Sequence, residues 1–256
     1  MWLNAHPKRE LIVKRYLKYQ HRLTRQVFVQ LLEEDETDPD SEQEVHAAEE
    51  AVIEERVSLN TQRIGAVVDA LKRVNATRVL DLGCGEGKLI QALLKDNSFA
   101  TIAGMDVSYR TLEIAQERLR LDRLPAQQQE RITLFQGSLT YRDKRFAGYD
   151  AATVIEVIEH LDPARLAVFE RVLFEFAHLP TVVLTTPNIE YNVKFSGMPT
   201  GKLRHRDHRF EWTRSEFQTW ATGIARRFGY TVRFLPIGPE DSIVGSPTQM
   251  GIFTRG

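Results

Sequence analysis

Val79-Leu80-Asp81-Leu82-Gly83-Cys84-Gly85-Glu86-Gly87-Lys88 is an apolar run that ends in three alternating glycines and opens a helical pattern. The run predicts a buried strand. The glycines predict a turn in which backbone approaches a ligand, where any Cβ would clash, at the strand's carboxyl end. Glycine loops serve several classes of nucleotide-binding enzyme, and an NAD-binding fold is the competing reading; it would need this loop to carry a pyrophosphate. Two features argue otherwise. The spacing is GxGxG behind Asp81, as opposed to the dinucleotide GxGxxG, and Asp106 closes the next apolar run in Gly104-Met105-Asp106-Val107-Ser108. A carboxylate there can accept both ribose hydroxyls of an adenosyl cofactor.

Outward from this loop, short β-rich runs alternate with helical patterns. Strands are expected at Arg78–Leu82, Ala100–Asp106, Arg131–Gln136, Tyr149–Val154 and Thr181–Thr185, with helices near Lys88–Lys95, Arg110–Leu121 and Ala164–Ala177. A further helix near Ser215–Phe228 precedes two more strands at Thr231–Leu235 and Thr248–Thr254. The alternation predicts an α/β, Rossmann-like, doubly wound sheet, mostly parallel.

Upstream, the chain divides at about residue 57 into an N-terminal helical extension (1–57) and the α/β domain (58–256). Residues 8–31 place Leu11, Ile12, Tyr16, Leu17, Tyr19, Leu23, Val27 and Phe28 at near-helical spacing among seven Lys or Arg, an amphipathic basic helix suited to packing on the main domain or a partner. The acidic stretch 33–44, with Pro39 inside, reads as a solvated linker. A second helical pattern runs from about Glu44 to Lys72 and leads into the domain.

A formal net charge of −1 argues against a protein that coats duplex nucleic acid through bulk charge, while leaving room for local recognition of an RNA end. Cys84 is the single cysteine, so no internal disulfide is possible and a cytoplasmic location is expected. It reads as a small packing residue of the loop and not as a nucleophile. No run has the length of a membrane span. His21, His46 and His178 read as surface histidines.

The glycine loop and Asp106 resemble motifs I and II of class I S-adenosylmethionine-dependent methyltransferases. That resemblance implies an antiparallel last strand, S-adenosylmethionine as cofactor, Asp81 near its amino acid part, Gly83 and Gly85 lining the loop, and Asp106, with Val107 and Ser108 beside it, at the ribose. It further implies that the turn after the third strand, with Ser138 and Leu139, holds the adenine.

After the fourth strand, Glu156, Glu159 and His160 stand at i, i+3 and i+4, so one helical turn would put their side chains on one face. A second cluster, Arg204-His205-Arg206-Asp207-His208-Arg209-Phe210-Glu211-Trp212-Thr213-Arg214, follows the fifth strand and its Thr186-Pro187-Asn188 turn. Carboxylates and imidazoles together make a mixed oxygen and nitrogen donor set suited to a six-coordinate Mn²⁺ or Mg²⁺ with open positions, which a vicinal diol could fill. Lys194, Lys202, Arg204, Arg206, Arg209 and Arg214 concentrate positive charge near by, suited to terminal phosphates, and Phe195, Phe210 and Trp212 offer rings on which a base could stack.

The runs Glu156-Val157-Ile158-Glu159-His160, Thr186-Pro187-Asn188 and Asp207-His208-Arg209-Phe210-Glu211-Trp212-Thr213-Arg214 resemble the small-RNA 3′-terminal 2′-O-methyltransferase family, over roughly residues 58–238. The resemblance implies Glu156, Glu159, His160 and His208 as metal ligands and catalytic residues, with His205 left to the substrate or to support of the ligands. The implied substrate is an RNA 3′ end with free 2′- and 3′-hydroxyls. The acidic-linked N-terminal helices resemble the bacterial RNA-repair branch, which implies an RNA kinase-phosphatase-ligase partner and a domain cut from a longer chain. A metal-dependent methyltransferase of small catechol-like diols and a non-catalytic RNA-end-binding subunit are the alternatives.

Overall fold

Strand β1 (Arg78–Leu82) is buried from its second residue onward, as a strand sandwiched between two helical layers must be. The computed structural model describes residues 58–195, 198 and 201–256. The expected helical extension over 1–57, including the basic helix and the acidic stretch, lies outside the described residues. On one side β1 pairs in parallel with β2 (Thr101–Asp106), which pairs with β3 (Ile132–Gln136); on the other it pairs with β4 (Ala151–Ile155) and, beyond that, β5 (Thr181–Pro187). The remaining strands are β6 (Tyr230–Ile237) and β7 (Thr248–Arg255), and the sheet order is β3-β2-β1-β4-β5-β7-β6. The last strand is antiparallel, as expected, and lies between β5 and β6, paired to both.

Helices cover both faces. Val67 and Leu71 of α1 (Ser58–Arg73), Ile90 and Leu93 of α2 (Lys88–Leu94) and Leu112 and Leu119 of α3 (Tyr109–Leu119) pack with Val79 and Ile102 on one side. A short α4 (Ala126–Gln129) leads into β3. On the other side, Phe169 of α5 (Pro163–Glu170) and Phe217, Ala221 and Ile224 of α6 (Arg214–Phe228) join Leu80, Val154 and Val182. The single helix expected over Ala164–Ala177 winds as an α-helix only to Glu170 and continues as a π-helix over Arg171–Ala177. At that junction the buried Glu170 accepts from Trp220 Nε1 at 2.7 Å and pairs with Arg227, both on α6.

Helix ends follow local chemistry. Ser108 caps α3 by accepting from the Thr111 N–H, and Thr213 and Glu216 form a reciprocal capping box at the start of α6. Among the described residues, no helix is long and apolar enough to cross a membrane. Strand order reverses direction at β1, with β2 and β4 on opposite sides, and this opens a crevice at the carboxyl ends of β1 and β4.

Candidate active site

Beyond Leu82 the chain turns at Gly83, φ +76°, whose N–H donates to the Met105 carbonyl at 2.8 Å. A Cβ there would stand 2.6 Å from Val157 Cγ2, so the second residue beyond β4 packs directly onto the glycine. Gly85, φ +50°, is a different case: nothing lies within 4 Å of the position its Cβ would take. A left-handed residue facing open space at a strand's carboxyl end is a cradle for a ligand, and it fits an adenosyl cofactor.

Asp106 ends β2 beside this cradle. Its Oδ2 accepts from Gly85 N and its Oδ1 from Ser108 N, both at 2.9 Å, which fixes the carboxylate and leaves each oxygen able to accept again. Val107 is 67% exposed, an apolar surface on the rim. Ser138 and Leu139 follow β3 and are tied to the same rim by the bond from Gly137 N to the Asp106 carbonyl at 3.0 Å. Ser138 Oγ pairs with Thr140 Oγ1, and Leu139 is buried.

Asp81 lies one layer deeper. Buried in β1, it accepts from Thr153 Oγ1 of β4 at 2.8 Å. Burial pushes its carboxyl up to about 7, against the Thr153 hydrogen bond, with the Asp106 charge adding to the rise. Cys84 is buried against Gly104, and burial pushes its thiol well above the ordinary range, which suits the packing role expected of it.

Glu156, Glu159 and His160 do not share the face of an α-helical turn. Glu156 adopts φ +52°, Val157 is extended in φ at −126°, and a single 3₁₀ turn spans Ile158–His160. This sharp reversal at the end of β4 lets Val157 pack on Gly83 while sending the acids toward β5. Glu156 Oε1 accepts from Thr185 Oγ1 at 2.8 Å, its Oε2 pairs with Arg63 of α1 at 3.1 Å, and Glu159 Oε2 accepts from Thr186 Oγ1 at 3.0 Å. Glu159 is fully buried. The segment 204–213 closes over this turn: Arg209 N donates to the Glu159 carbonyl at 2.7 Å, and Ile189 N donates to the Trp212 carbonyl at 3.1 Å.

That closure gathers three imidazoles. Among the described residues, His160, His205 and His208 form the group of side chains able to hold a metal ion, with ligand atoms all within 4.8 Å of one another. The His160 and His208 rings stand edge to face, centroids 4.8 Å apart. His160 keeps an exposed edge, yet burial of the rest of the ring, and then the two neighbouring imidazoles, push its pKa down to about 4, so it is neutral at pH 7. Hydrogen bonds assign the other two rings opposite tautomers. His208 Nδ1 is 2.6 Å from the Glu211 carboxylate, an acceptor, so Nδ1 carries the proton. In the neutral ring His208 Nε2 is then a lone pair, and this atom is buried and without a hydrogen-bond partner among the described residues. His205 Nδ1 accepts from Asp207 N at 3.1 Å, which leaves the proton of the neutral ring on Nε2. A buried nitrogen lone pair without a hydrogen-bond partner among the described residues, in a cluster of three imidazoles that does not take in the Glu156 or Glu159 carboxylates, fits a divalent cation.

The basic and aromatic residues divide. Arg204 is buried and structural, with Nε on Asn192 Oδ1 at 2.7 Å and Nη2 on the Asn188 and Pro247 carbonyls. Lys194 pairs with Asp241 and Arg214 with Glu190. Trp212 stacks in a cluster with Phe210, Trp220 and Phe217, so it anchors the segment. Sequence reasoning gave no role to Arg63 or Glu211. Arg63 sits between Leu59 and Val67 on the apolar stripe of α1, and a cation on such a stripe was the signal that it must meet a buried partner. Glu211 is held below the ordinary carboxylate range; burial opposes this, but hydrogen bonds from His208, Asn192 and Arg204 outweigh it.

Known proteins resemble this chain in its α/β domain and at its N-terminus. The family described as a methyltransferase domain matches residues 80–174, and one described as the RNA repair, ligase-Pnkp-associating region of Hen1 matches residues 1–32. The small RNA 2′-O-methyltransferase of Mus musculus is 40% identical over 213 residues, which are 80% of this chain and 53% of the relative. The chain thus spans about half the length of the curated relatives it matches. The crystal structure of the methyltransferase domain of bacterial CtHen1 superposes with a TM-score of 0.72 at 61% identity, over 77% of this chain and all of that one. A structure of the Pnkp1/Rnl/Hen1 RNA repair complex, at 22% identity and a TM-score of 0.57 over 86% of this chain and 48% of that one, shares the fold. The fold is that of S-adenosylmethionine-dependent methyltransferases, and the chain belongs to the Hen1 small-RNA 2′-O-methyltransferase family.

Proposed function

We propose that the chain transfers a methyl group from S-adenosylmethionine to the 2′-hydroxyl of the 3′-terminal ribose of an RNA, assisted by Mn²⁺ or Mg²⁺. The observation that carries this reading is the buried Nε2 of His208, without a hydrogen-bond partner among the described residues, in one cluster with His160 and His205 beyond the end of β4. Identity to relatives named small RNA 2′-O-methyltransferases supports the choice of acceptor.

Gly83, Gly85, Asp106, Val107, Ser108, Ser138 and Leu139 would hold the cofactor, with Asp81 behind them. When bound, S-adenosylmethionine supplies the electrophilic methyl group. Glu156, Glu159, His160 and His208 would hold the cation, which supplies a Lewis acid that acidifies a hydroxyl and prefers two adjacent oxygens. The chain's own residues do the positioning. Thr185 and Thr186 steer the two carboxylates, and Glu211 steers His208. His205, with its proton on Nε2, can donate to an oxygen of the terminal ribose. Orientation and electrostatics together account for the greater part of such a rate enhancement.

The match of residues 1–32 supports a partnership with an RNA kinase-phosphatase-ligase, with 1–57 as the partner-facing extension and 58–256 as the catalytic domain, and the single cysteine fits a cytoplasmic setting.

The test is methyl transfer from labelled cofactor to three matched RNAs ending in a 2′,3′-diol, a 2′-deoxyribose or a 3′-phosphate, each with Mn²⁺, Mg²⁺ or chelator. Labelling of the diol alone, and only with metal, is the expected result. Labelling that survives chelation or a 2′-deoxy end would sink the metal and diol reading, and labelling of catechol in preference to RNA would move the substrate to small diols.

A further inference from the structure

Glu211 is 5% exposed, and every donor around it is fixed. Its Oε1 accepts from Arg204 N and from His208 Nδ1, each at 2.6 Å, and its Oε2 from Asn192 Nδ2 at 2.6 Å. The direction of each bond is forced. A backbone N–H can only donate. The Asn192 amide is locked with its oxygen toward the guanidinium, because Arg204 Nε can only donate, at 2.7 Å. Its nitrogen must then face Glu211. An acceptor-only carboxylate so placed leaves the neutral His208 ring one option, the tautomer protonated at Nδ1.

We infer that Glu211 is a positioning residue for the candidate metal site: its carboxylate locks His208 so that the Nε2 lone pair points into the three-imidazole cluster, and it ties the segment 204–213, which carries two of the three imidazoles, to Asn192 of the segment 188–195. This inference rests on the proposed metal-assisted reading. The neighbouring His205 shows what the lock achieves. Two imidazoles of one cluster, three residues apart, receive opposite tautomers, His208 from a carboxylate and His205 from the Asp207 backbone N–H. In their neutral forms one ring then offers a lone pair at Nε2 and the other carries its proton there. A carboxylate behind a ligating imidazole also raises its basicity, and loss of such a partner costs about 10- to 100-fold in metal affinity.

The experiment uses the whole chain and two variants, E211Q and E211A. In E211Q the amide oxygen can still face His208 and Arg204, but its NH₂ meets the Asn192 NH₂, and the charge is gone. Metal-free ¹H–¹⁵N spectra of the histidine rings report the tautomer, and electron paramagnetic resonance of free Mn²⁺ reports affinity; melting and S-adenosylhomocysteine titration report fold and cradle. The expected result is a strongly downfield Nδ1 proton on His208 in the wild type that moves upfield in E211Q, an ε-protonated or mixed ring in E211A, Mn²⁺ binding weakened about 10-fold in E211Q and up to about 100-fold in E211A, and cofactor affinity within twofold. A folded E211Q with the proton signal and Mn²⁺ affinity of the wild type overturns the inference, even if E211A does not fold. Absence of Mn²⁺ binding by the wild type overturns the proposed function instead, and the metal-free tautomer comparison separates the two failures.

Discussion

Arg63 of α1 and Glu156 at the end of β4 form an ion pair at 3.1 Å with side chains only 5% and 11% exposed. The helix that precedes the sheet therefore reaches into the candidate site and holds one of its carboxylates, at a residue whose backbone is left-handed, φ +52°. The same guanidinium donates to Thr248 Oγ1 of β7, so three separate elements meet at one cation.

Replacing Arg63 with alanine should leave a buried carboxylate without its counter-charge, a change that costs roughly 3–5 kcal/mol. Urea unfolding of R63A is expected to show a loss in that range, with methyl transfer lost together with stability. A smaller loss is expected for R63K, which keeps the charge but not the planar fork that reaches Glu156 and Thr248 together. If R63A unfolds at the wild-type urea concentration, the pair contributes nothing net and the placement of Glu156 does not depend on α1.

Gly83 and Gly85 separate packing from ligand space. G83A puts a Cβ 2.6 Å from Val157 Cγ2 at φ +76°, so a clash adds to the roughly 1–2 kcal/mol of left-handed strain. G85A meets nothing within 4 Å and carries the strain alone, but it fills the cradle. Melting should therefore rank G83A as the less stable of the two. Titration with S-adenosylhomocysteine should show G85A, although folded, binding at least about tenfold more weakly, one order of magnitude being 1.4 kcal/mol. Normal binding by G85A would move the cofactor away from this loop.

The sheet was legible in the sequence because its signals are local: β1 was expected at its observed bounds, and Asp106 and the glycine loop announced the crevice by spacing alone. The site was legible only in its chemistry. Glu156, Glu159 and His160 were read as one helical turn, because i, i+3 and i+4 spacing is the helix signature. The observed reversal is instead imposed by tertiary packing of Val157 on Gly83 and by the bonds from Thr185 and Thr186, which no window around residue 156 contains. The burial of Arg204 by Asn188, Asn192 and Pro247, contacts up to 43 residues away, was hidden for the same reason.

Glu159 is the carboxylate on which the two readings of the turn diverge most. It is fully buried, and Thr186 holds one oxygen. E159A and the isosteric E159Q should both abolish methyl transfer to diol-ended RNA, by at least about 10³-fold on the scale of a lost charge-stabilising group. Affinity for S-adenosylhomocysteine should persist, because the cradle is built by β1 and β2. Loss of cofactor binding in E159Q would assign Glu159 to the cofactor side, and retained transfer would remove it from the chemistry.

Asp81 gives the fold a pH dependence whose direction follows from its burial. Its pKa rises from 3.8 to about 7, so the folded chain holds a proton that the unfolded chain releases. The stability from the protonated form is present in full below about pH 4 and is lost as pH rises to about 7, beyond which it is constant. Over that window the effect is on the order of a few kcal/mol, at about 1.4 kcal/mol per unit. D81N keeps an acceptor for Thr153 Oγ1 and cannot ionise, so its stability should lack this fall and should exceed that of the wild type at pH 8. A cationic amino group of the cofactor near Asp81 would favour the carboxylate and expel the proton on binding. Calorimetric titration with S-adenosylhomocysteine at pH 6.5, in buffers of different ionisation enthalpy, should then show proton release in the wild type that is reduced in D81N. Equal proton counts in the two proteins would place the amino acid part of the cofactor away from Asp81, leaving the carboxyl as an element of the β1–β4 pairing alone.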